Sequence, residues 1–226
     1  MFCHLENRAL LKVSGSDSES FLQGQLSNDI EQLDNSSIQL NAYCQHQGKI
    51  LALFWVMRSD DSFLLSFPLD LVDIIKSRLQ MFVIMDDVNI QDITLEYSQI
   101  GSIDESYNNS FTINDKLSLI IVNPKDITQF DIKPVEFWHK SCIDSNLPEI
   151  SSITSEKLVP QMLNLDIDEV GVNFSKGCYP GQEVVARLHY LGSAKRRLFA
   201  FECVSEVNVG DSLFCSTSRS AKARGA

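Results

Sequence analysis

Between Ser175 and Arg187 the chain reads Ser-Lys-Gly-Cys-Tyr-Pro-Gly-Gln-Glu-Val-Val-Ala-Arg, and nowhere else do so many chemically able and conformationally special residues share so few positions. The chemistry on offer is that of a thiol. Lys176 before Cys178 and Arg187 after it are cations that lower a thiol pKa, and so raise its thiolate fraction, wherever a fold brings them close. Gly177 and Gly181 accept backbone angles closed to other residues, and Pro180 fixes its own φ while pushing Tyr179 towards extended geometry. The segment therefore reads as a rigid turn that holds the thiol in one place. Gln182 and Glu183 add an amide and a carboxylate beside it. A half-buried cysteine on a tight turn, with Gly and Pro serving geometry alone, satisfies the same residues.

The charge around this stretch differs from that of the chain. Net charge over the 226 residues is −11, which argues against broad non-specific binding to nucleic acid. Residues 176 to 197 nevertheless hold Lys176, Arg187, Lys195, Arg196 and Arg197 against Glu183 alone, a local net of +4. Either a solvated turn or a site for an anion is consistent with that patch. The six cysteines, Cys3, Cys44, Cys142, Cys178, Cys203 and Cys215, include no Cys-x-x-Cys pair, so neither a zinc ribbon nor a complete iron–sulfur ligand set is written here. His4, His46, His139 and His189 form no metal-spaced pair either. No run approaches the ~18 apolar residues of a membrane span, and the N-terminus lacks a basic-then-apolar export signal. The chain reads as a cytoplasmic protein whose cysteines stay reduced.

The elements that must position the thiol follow from periodicity. Ser16 and Glu19 fit a capping box, and a helical rhythm through Phe21, Leu22, Gln25 and Leu26 predicts a helix over about 17 to 31, with Gly24 its odd member, suited to close packing or to the approach of a ligand. Strand-like runs follow at Ser37 to Cys44, Ile50 to Arg58 and Ser62 to Phe67, preceded by one at Arg8 to Val13. Asp70 is placed to cap a second helix whose Leu71, Ile75 and Leu79 share a face, and Asp87 to Thr94 resumes as strand. Leu117 to Val122 is another strand. Lys133 to Asp144 is predicted helical, with Val135, Phe137, Trp138 and Cys142 available for burial. Asp166 and Asp168 offer a pair of carboxylates that is either solvated or a general acid and base. Leu188 to Gly192, Arg197 to Val204 and Gly210 to Cys215 read as strands, and residues 216 to 226 as a disordered tail. The order of elements is that of an α+β sheet with helices on one face.

Lys176-Gly177-Cys178-Tyr179-x-Gly181-Gln182-Glu183, continued as Val-Val-Ala-Arg, resembles the signature of the YgfZ family of folate-binding proteins, bacterial relatives of a mitochondrial iron–sulfur assembly factor. Phe21 to Asp29, Tyr43 to Leu51 and Pro160 to Leu165 resemble further blocks of that family, so the likeness spans roughly residues 1 to 205. It implies an aminomethyltransferase-like α+β fold: residues 1–195 as a folate-binding domain of two α/β halves, about 1–95 and 96–195, around a central channel, then 196–226 as partial barrel strands and tail. It implies tetrahydrofolate or a derivative as cofactor, and a role in iron–sulfur cluster assembly or repair and thereby in tRNA modification. Cys178 would be the reactive thiol. Lys176, Gly177, Tyr179, Gly181, Gln182, Glu183, Arg187, Gln25 and Asn28 would form the cofactor site, and the basic patch would meet a folate glutamate tail or an RNA phosphate. The implied partners are folate, iron–sulfur enzymes or assembly factors, and a tRNA-modifying enzyme, with neither membrane nor DNA. Two features depart from true aminomethyltransferases: where they place a catalytic aspartate after a glycine turn, this chain reads Gly48-Lys49-Ile50-Leu51-Ala52-Leu53, and their Gly-Tyr-Thr-Gly-Glu pterin-orienting stretch has no counterpart here. Binding without catalysis is the expectation, set against a folate-dependent one-carbon transferase using another acid and against an RNA-contacting module.

Overall fold

The structure is a computed structural model that describes residues 1–35, 37–203, 207–209, 211–214 and 222–224. In chain order its elements are β1 (Phe2–His4), β2 (Arg8–Ser14), α1 (Ser18–Gln25), β3 (Ile38–Cys44), β4 (Ile50–Ser59), β5 (Ser62–Pro68), α2 (Val72–Phe82), β6 (Asn89–Asp92) and β7 (Ser98–Ile103). Then come β8 (Phe111–Thr112), β9 (Leu117–Val122), β10 (Ile132–Lys133), α3 (Val135–Asp144), α4 (Gln182–Leu191), β11 (Ser212–Phe214) and β12 (Lys222–Arg224). Two five-stranded sheets carry the fold, ordered β3-β4-β5-β2-β6 and β10-β1-β7-β9-β8. The first is antiparallel throughout. The second is mixed, because β1 runs antiparallel to β7 but parallel to β10. The opening strand therefore belongs to the second sheet and its successor, three residues on, to the first.

Strand alternation decides which residues meet which layer. Leu11, Val13, Phe54, Leu65 and Phe67 turn to one face of the first sheet and pack with Phe21 and Leu22 of α1 and Ile75 and Leu79 of α2. Leu10, Met57 and Leu64 turn to the other face and join Cys3, Leu117, Leu119 and Trp138 from the second layer. Being buried on both faces, these strands read as near-continuous apolar runs rather than as alternating ones. A buried polar tie joins the sheets: Arg8 Nε donates to Ser66 Oγ at 2.8 Å, Ser66 Oγ donates to Gln99 Oε1 at 2.5 Å, and Gln99 Nε2 returns to the carbonyls of Arg8 and Ala9 at 3.2 and 3.1 Å.

Several boundaries differ from the sequence reading, each for a local reason. The first helix ends at Gln25, since Leu26 is extended and bridges to Tyr43, and only a short 3-10 turn, Ile30–Gln32, follows. No capping box forms at its start. Ser16 instead donates from N and Oγ to Asp87 Oδ2 at 3.1 and 3.0 Å. Asp70 does not cap α2 but accepts the Ser152 amide at 2.8 Å. The strand expected at Asp87 to Thr94 spans only Asn89–Asp92, and Phe137 lies 48% exposed while its neighbour Trp138 is buried. Leu188 to Gly192 is not a strand, for it falls at the end of α4, and the strand expected at Arg197 to Val204 has no regular structure over 197–203, Val204 lying outside the described residues. β11 lies inside the run expected at Gly210 to Cys215, whose two end residues fall outside the described ones. Of the tail expected to be disordered, Lys222–Arg224 pairs with β11 and the rest lies outside the described residues.

Glycine 24 and glycine 101 set opposite tests of this packing. A Cβ at Gly101 would sit 2.3 Å from the Trp138 ring, whereas one at Gly24 meets nothing within 4 Å, so close packing against the protein does not account for Gly24. Gly101→Ala is expected to lower stability by about 1–3 kcal/mol through overpacking. Gly24→Ala, in a helix with room to spare, is expected to raise it by about 0.5–1 kcal/mol. Paired thermal melts followed by circular dichroism check both signs at once.

Candidate functional site

The segment leading into the cysteine turn is fastened to the residues after α1. Ser27 Oγ donates to the Gly171 carbonyl at 2.5 Å, and the Asn173 amide donates back to the Ser27 carbonyl at 3.0 Å. Asn173 then folds the chain on itself, its Oδ1 accepting the amides of Ser175 and Lys176 at 2.8 and 2.9 Å, the self-made turn that Asn side chains favour. This delivers the Lys176 side chain inward. Its ammonium donates to the carbonyls of Gln23, Leu26 and Asn28 at 2.7, 2.7 and 2.8 Å, and lies 5.6 Å from the centroid of the Tyr179 ring. Three donors meet three acceptors, so nothing on the ammonium is left over. Burial pushes its pKa down to about 8, which keeps it charged at neutral pH.

The far side of the turn is fixed by two glycines back to back. Gly181, at φ +84°, is the N-cap of α4, and a Cβ there would stand 2.4 Å from the Gln45 carbonyl and 2.8 Å from Gly48 Cα. Gly48, at φ +75°, sits in the turn that joins β3 to β4, where its amide donates to the Gln45 carbonyl at 2.8 Å. Gly177 has neither a positive φ nor a close neighbour, so of the two motif glycines only Gly181 is required by the backbone. Between the two anchors Tyr179 is buried, which pushes its phenol pKa up, and Cys178 is exposed.

The other site residues are distributed unevenly. Asn28 is buried in structural bonds: its Nδ2 donates to the carbonyls of Leu40 and Val170 at 3.1 and 3.3 Å, and its own carbonyl accepts from Lys176. Gln25 is different. Its Oε1 is buried and has no hydrogen-bond partner among the described residues, an orphan acceptor of the kind a ligand or water satisfies. Gln182 is half-buried, its Nε2 3.5 Å from the Gly177 carbonyl, while Glu183 and Arg187 are exposed along α4. Lys176 and Arg197 drop out of the basic patch. Arg197 grips Asp166 through two bonds at 2.5 and 3.0 Å, so Asp166 is a buried ion-pair partner and not a free acid. Among the other cysteines, burial pushes the thiols of Cys44 and Cys142 up to about 12. Cys203 is exposed, without regular structure around it.

Sequence reasoning missed that Gly48 is the partner of Gly181, though both lie in glycine turns. It also missed that Gln161 Nε2 holds the Val185 carbonyl of α4 at 2.7 Å, for which the sequence carries no signal. Lys176→Met is expected to leave a folded protein that is about 2–4 kcal/mol less stable, since three buried carbonyls lose a charged donor. Lys176→Arg should not restore it, because a planar guanidinium cannot meet three convergent carbonyls as an ammonium does. Urea unfolding of the three proteins measures both differences.

No family model matches the chain. It is 31% identical over 207 residues to an uncharacterized protein of Haemophilus influenzae, covering 89% of this chain and 73% of that one. It is 29% identical over 221 residues to the tRNA-modifying protein YgfZ of Colwellia psychrerythraea, covering 84% and 67%, and 26% identical over 221 residues to that of Vibrio atlanticus, covering 88% and 68%. In three dimensions it is similar to glycine cleavage system aminomethyltransferase T from Bartonella henselae, with a TM-score of 0.59 and 13% identity over 83% of this chain and 63% of that one, a likeness of fold. With its motif turn, its two layered sheets and these relatives, the chain belongs to the YgfZ family and has the α+β fold of the aminomethyltransferases.

Proposed function

We propose that this protein is a folate-binding accessory protein that supports assembly or repair of iron–sulfur clusters and, through them, tRNA modification, with Cys178 as its reactive thiol. The observation that carries the reading is the exposed Cys178 held between two rigid anchors, the Lys176 ammonium on three carbonyls and the Gly181–Gly48 contact. An exposed thiol in a fixed position costs little reorganisation when a partner docks on it. A cluster usually takes four ligands, and among the described residues no group of three or more His, Cys, Asp or Glu is placed to hold a metal. Cys178 therefore acts as one transient ligand towards a cluster that the partner supplies.

Folate is a flat pterin on an aryl glutamate, so its site needs an acceptor for ring N–H groups and cations for the tail. The unpartnered Gln25 Oε1 suits the first need and the exposed Arg187, Lys195 and Arg196 the second. Tyr179 is too deeply buried, at 6% exposure, to offer an open ring face. Tetrahydrofolate, when bound, supplies a carrier for one-carbon units. The protein's own residues bind and orient it, and no acid–base step is assigned to them: from Ile50 the chain after Gly48 is the buried apolar start of β4, and Asp166 is tied to Arg197.

The test joins both halves of the reading. A reduced folate at 100 times its Kd adds about 2.7 kcal/mol to stability, a melting shift of roughly 5–10 °C for a chain of this size, and should do so equally for wild type and Cys178→Ser. In a host lacking the protein, Cys178→Ser should fail to restore iron–sulfur enzyme activity while Cys142→Ser restores it. Full rescue by Cys178→Ser would remove the thiol from the function, and no shift with any folate at millimolar concentration would remove the cofactor.

A further inference from the structure

Two glycines beside the cysteine turn are not explained by the fold. Gly24 lies inside α1, where glycine is destabilising relative to alanine, and Gly177 stands next to Cys178. Neither has a positive φ, and a Cβ on either meets nothing within 4 Å among the described residues. Both are exposed, which leaves the remaining use of glycine, the close approach of something from outside. The Lys176 clamp holds them near one another. The Gln23 carbonyl that Lys176 grips at 2.7 Å belongs to the peptide joining Gln23 to Gly24, and Gly177 follows Lys176 directly. The two glycines are thus one lysine side chain apart, within about 16 Å even at full stretch. A docked protein covers about 800 Å² of its partner, which takes in both glycines and the thiol.

The long side chains adjoining this region are drawn inward. Lys176 ends on its three carbonyls and Tyr179 is buried. Gln23 is folded back, its Nε2 donating to Asp29 Oδ1 at 2.8 Å and its Oε1 accepting the Ile30 amide at 2.9 Å. We propose that Gly24 and Gly177 keep a clearing around Cys178 for a protein partner whose surface comes down onto the backbone on both sides of the thiol. The physical need is reach. A metal–thiolate bond is about 2.3 Å long and cysteine is a short side chain, so a longer neighbour would hold a partner's surface off before the sulfur met a metal within it. A small molecule needs no such clearing, because it passes between side chains. The inference rests on one half of the reading above, that a partner brings a cluster to Cys178, and on neither folate nor the cations of residues 187–196.

Two thiol reagents of different size test it, in a Cys203→Ser/Cys215→Ser background so that the rate measured is that of Cys178. One is iodoacetamide and the other a maleimide fixed to the surface of a small globular protein. Gly24→Gln and Gly177→Gln each add a long neutral side chain where the structure has room for it. Both variants should react with iodoacetamide at the wild-type rate and with the protein-borne maleimide about tenfold more slowly, while Gly24→Ala keeps both rates. In a host lacking the protein, Gly24→Gln should restore iron–sulfur enzyme activity about tenfold less well than wild type, although its melting temperature is no lower. A wild-type rate with the protein-borne reagent in both variants, or full complementation by Gly24→Gln, would overturn the assignment. Equal slowing with iodoacetamide would overturn it too, since the added side chain would then cover the thiol itself. So would a Gly24→Gln protein that loses the folate melting shift while its protein-borne rate stays intact, which would give the clearing to folate. The two rates need neither cluster nor folate, so they stand or fall apart from the Cys178→Ser complementation that tests the reading above.

Discussion

The structure turns on the Lys176 ammonium. Burying a cation without a partner is costly, and although Asp29 and Glu31 favour its charge from a distance, no carboxylate among the described residues bonds to it directly. Three carbonyls do, and they belong to the last turn of α1 and the residues just after it, where the helix dipole is negative and carbonyls lack intrahelical donors. The same lysine's backbone amide is held by Asn173 Oδ1. One residue therefore closes the end of the first helix, explains why that helix stops at Gln25, and bolts the cysteine turn to the core more than a hundred residues away in sequence.

The second constraint is steric. Gly181 and Gly48 approach so closely that neither tolerates a side chain, which brings the start of α4 against the turn between β3 and β4. With the turn gripped at both ends, its middle has few options: Tyr179 goes in beneath the Lys176 ammonium and Cys178 goes out. The division of labour among the cysteines follows from burial alone. Cys44 and Cys142 are packed and hard to ionise, whereas the motif thiol meets solvent. An orphaned acceptor on Gln25 and exposed cations on and after α4 lie to either side of that turn in the chain, so the same scaffold that presents the thiol also carries the unspent polar groups.

Much of this was legible in the residues. The β3-β4-β5 meander, α2 with Ile75 and Leu79 on the face that Leu71 begins, and the burial of Trp138 follow from apolar periodicity, because each buries a regular stripe. The cysteine turn was legible as a turn because Gly181 and Pro180 leave the backbone little else to do. What could not be read was tertiary. Nothing local marks Lys176 as a buried clamp rather than a surface cation beside a thiol, nor Arg197 as the partner of Asp166, since both bonds close loops of tens to hundreds of residues. Leu188 to Gly192 read as strand, whereas the helix that starts from the N-cap at Gly181 runs on through Leu191.

The central claim is that a rigid, core-anchored turn displays a solvent-exposed thiol. Native-state hydrogen exchange at Lys176, combined in one sample with the rate at which Cys178 reacts with a thiol reagent, tests it most directly. The account predicts a Lys176 amide protected about 1,000-fold or more beside a thiol that reacts as fast as a free exposed cysteine. A Lys176 amide that exchanges as quickly as those of the exposed loop around Asn108, or a Cys178 that reacts only when the protein unfolds, would contradict it.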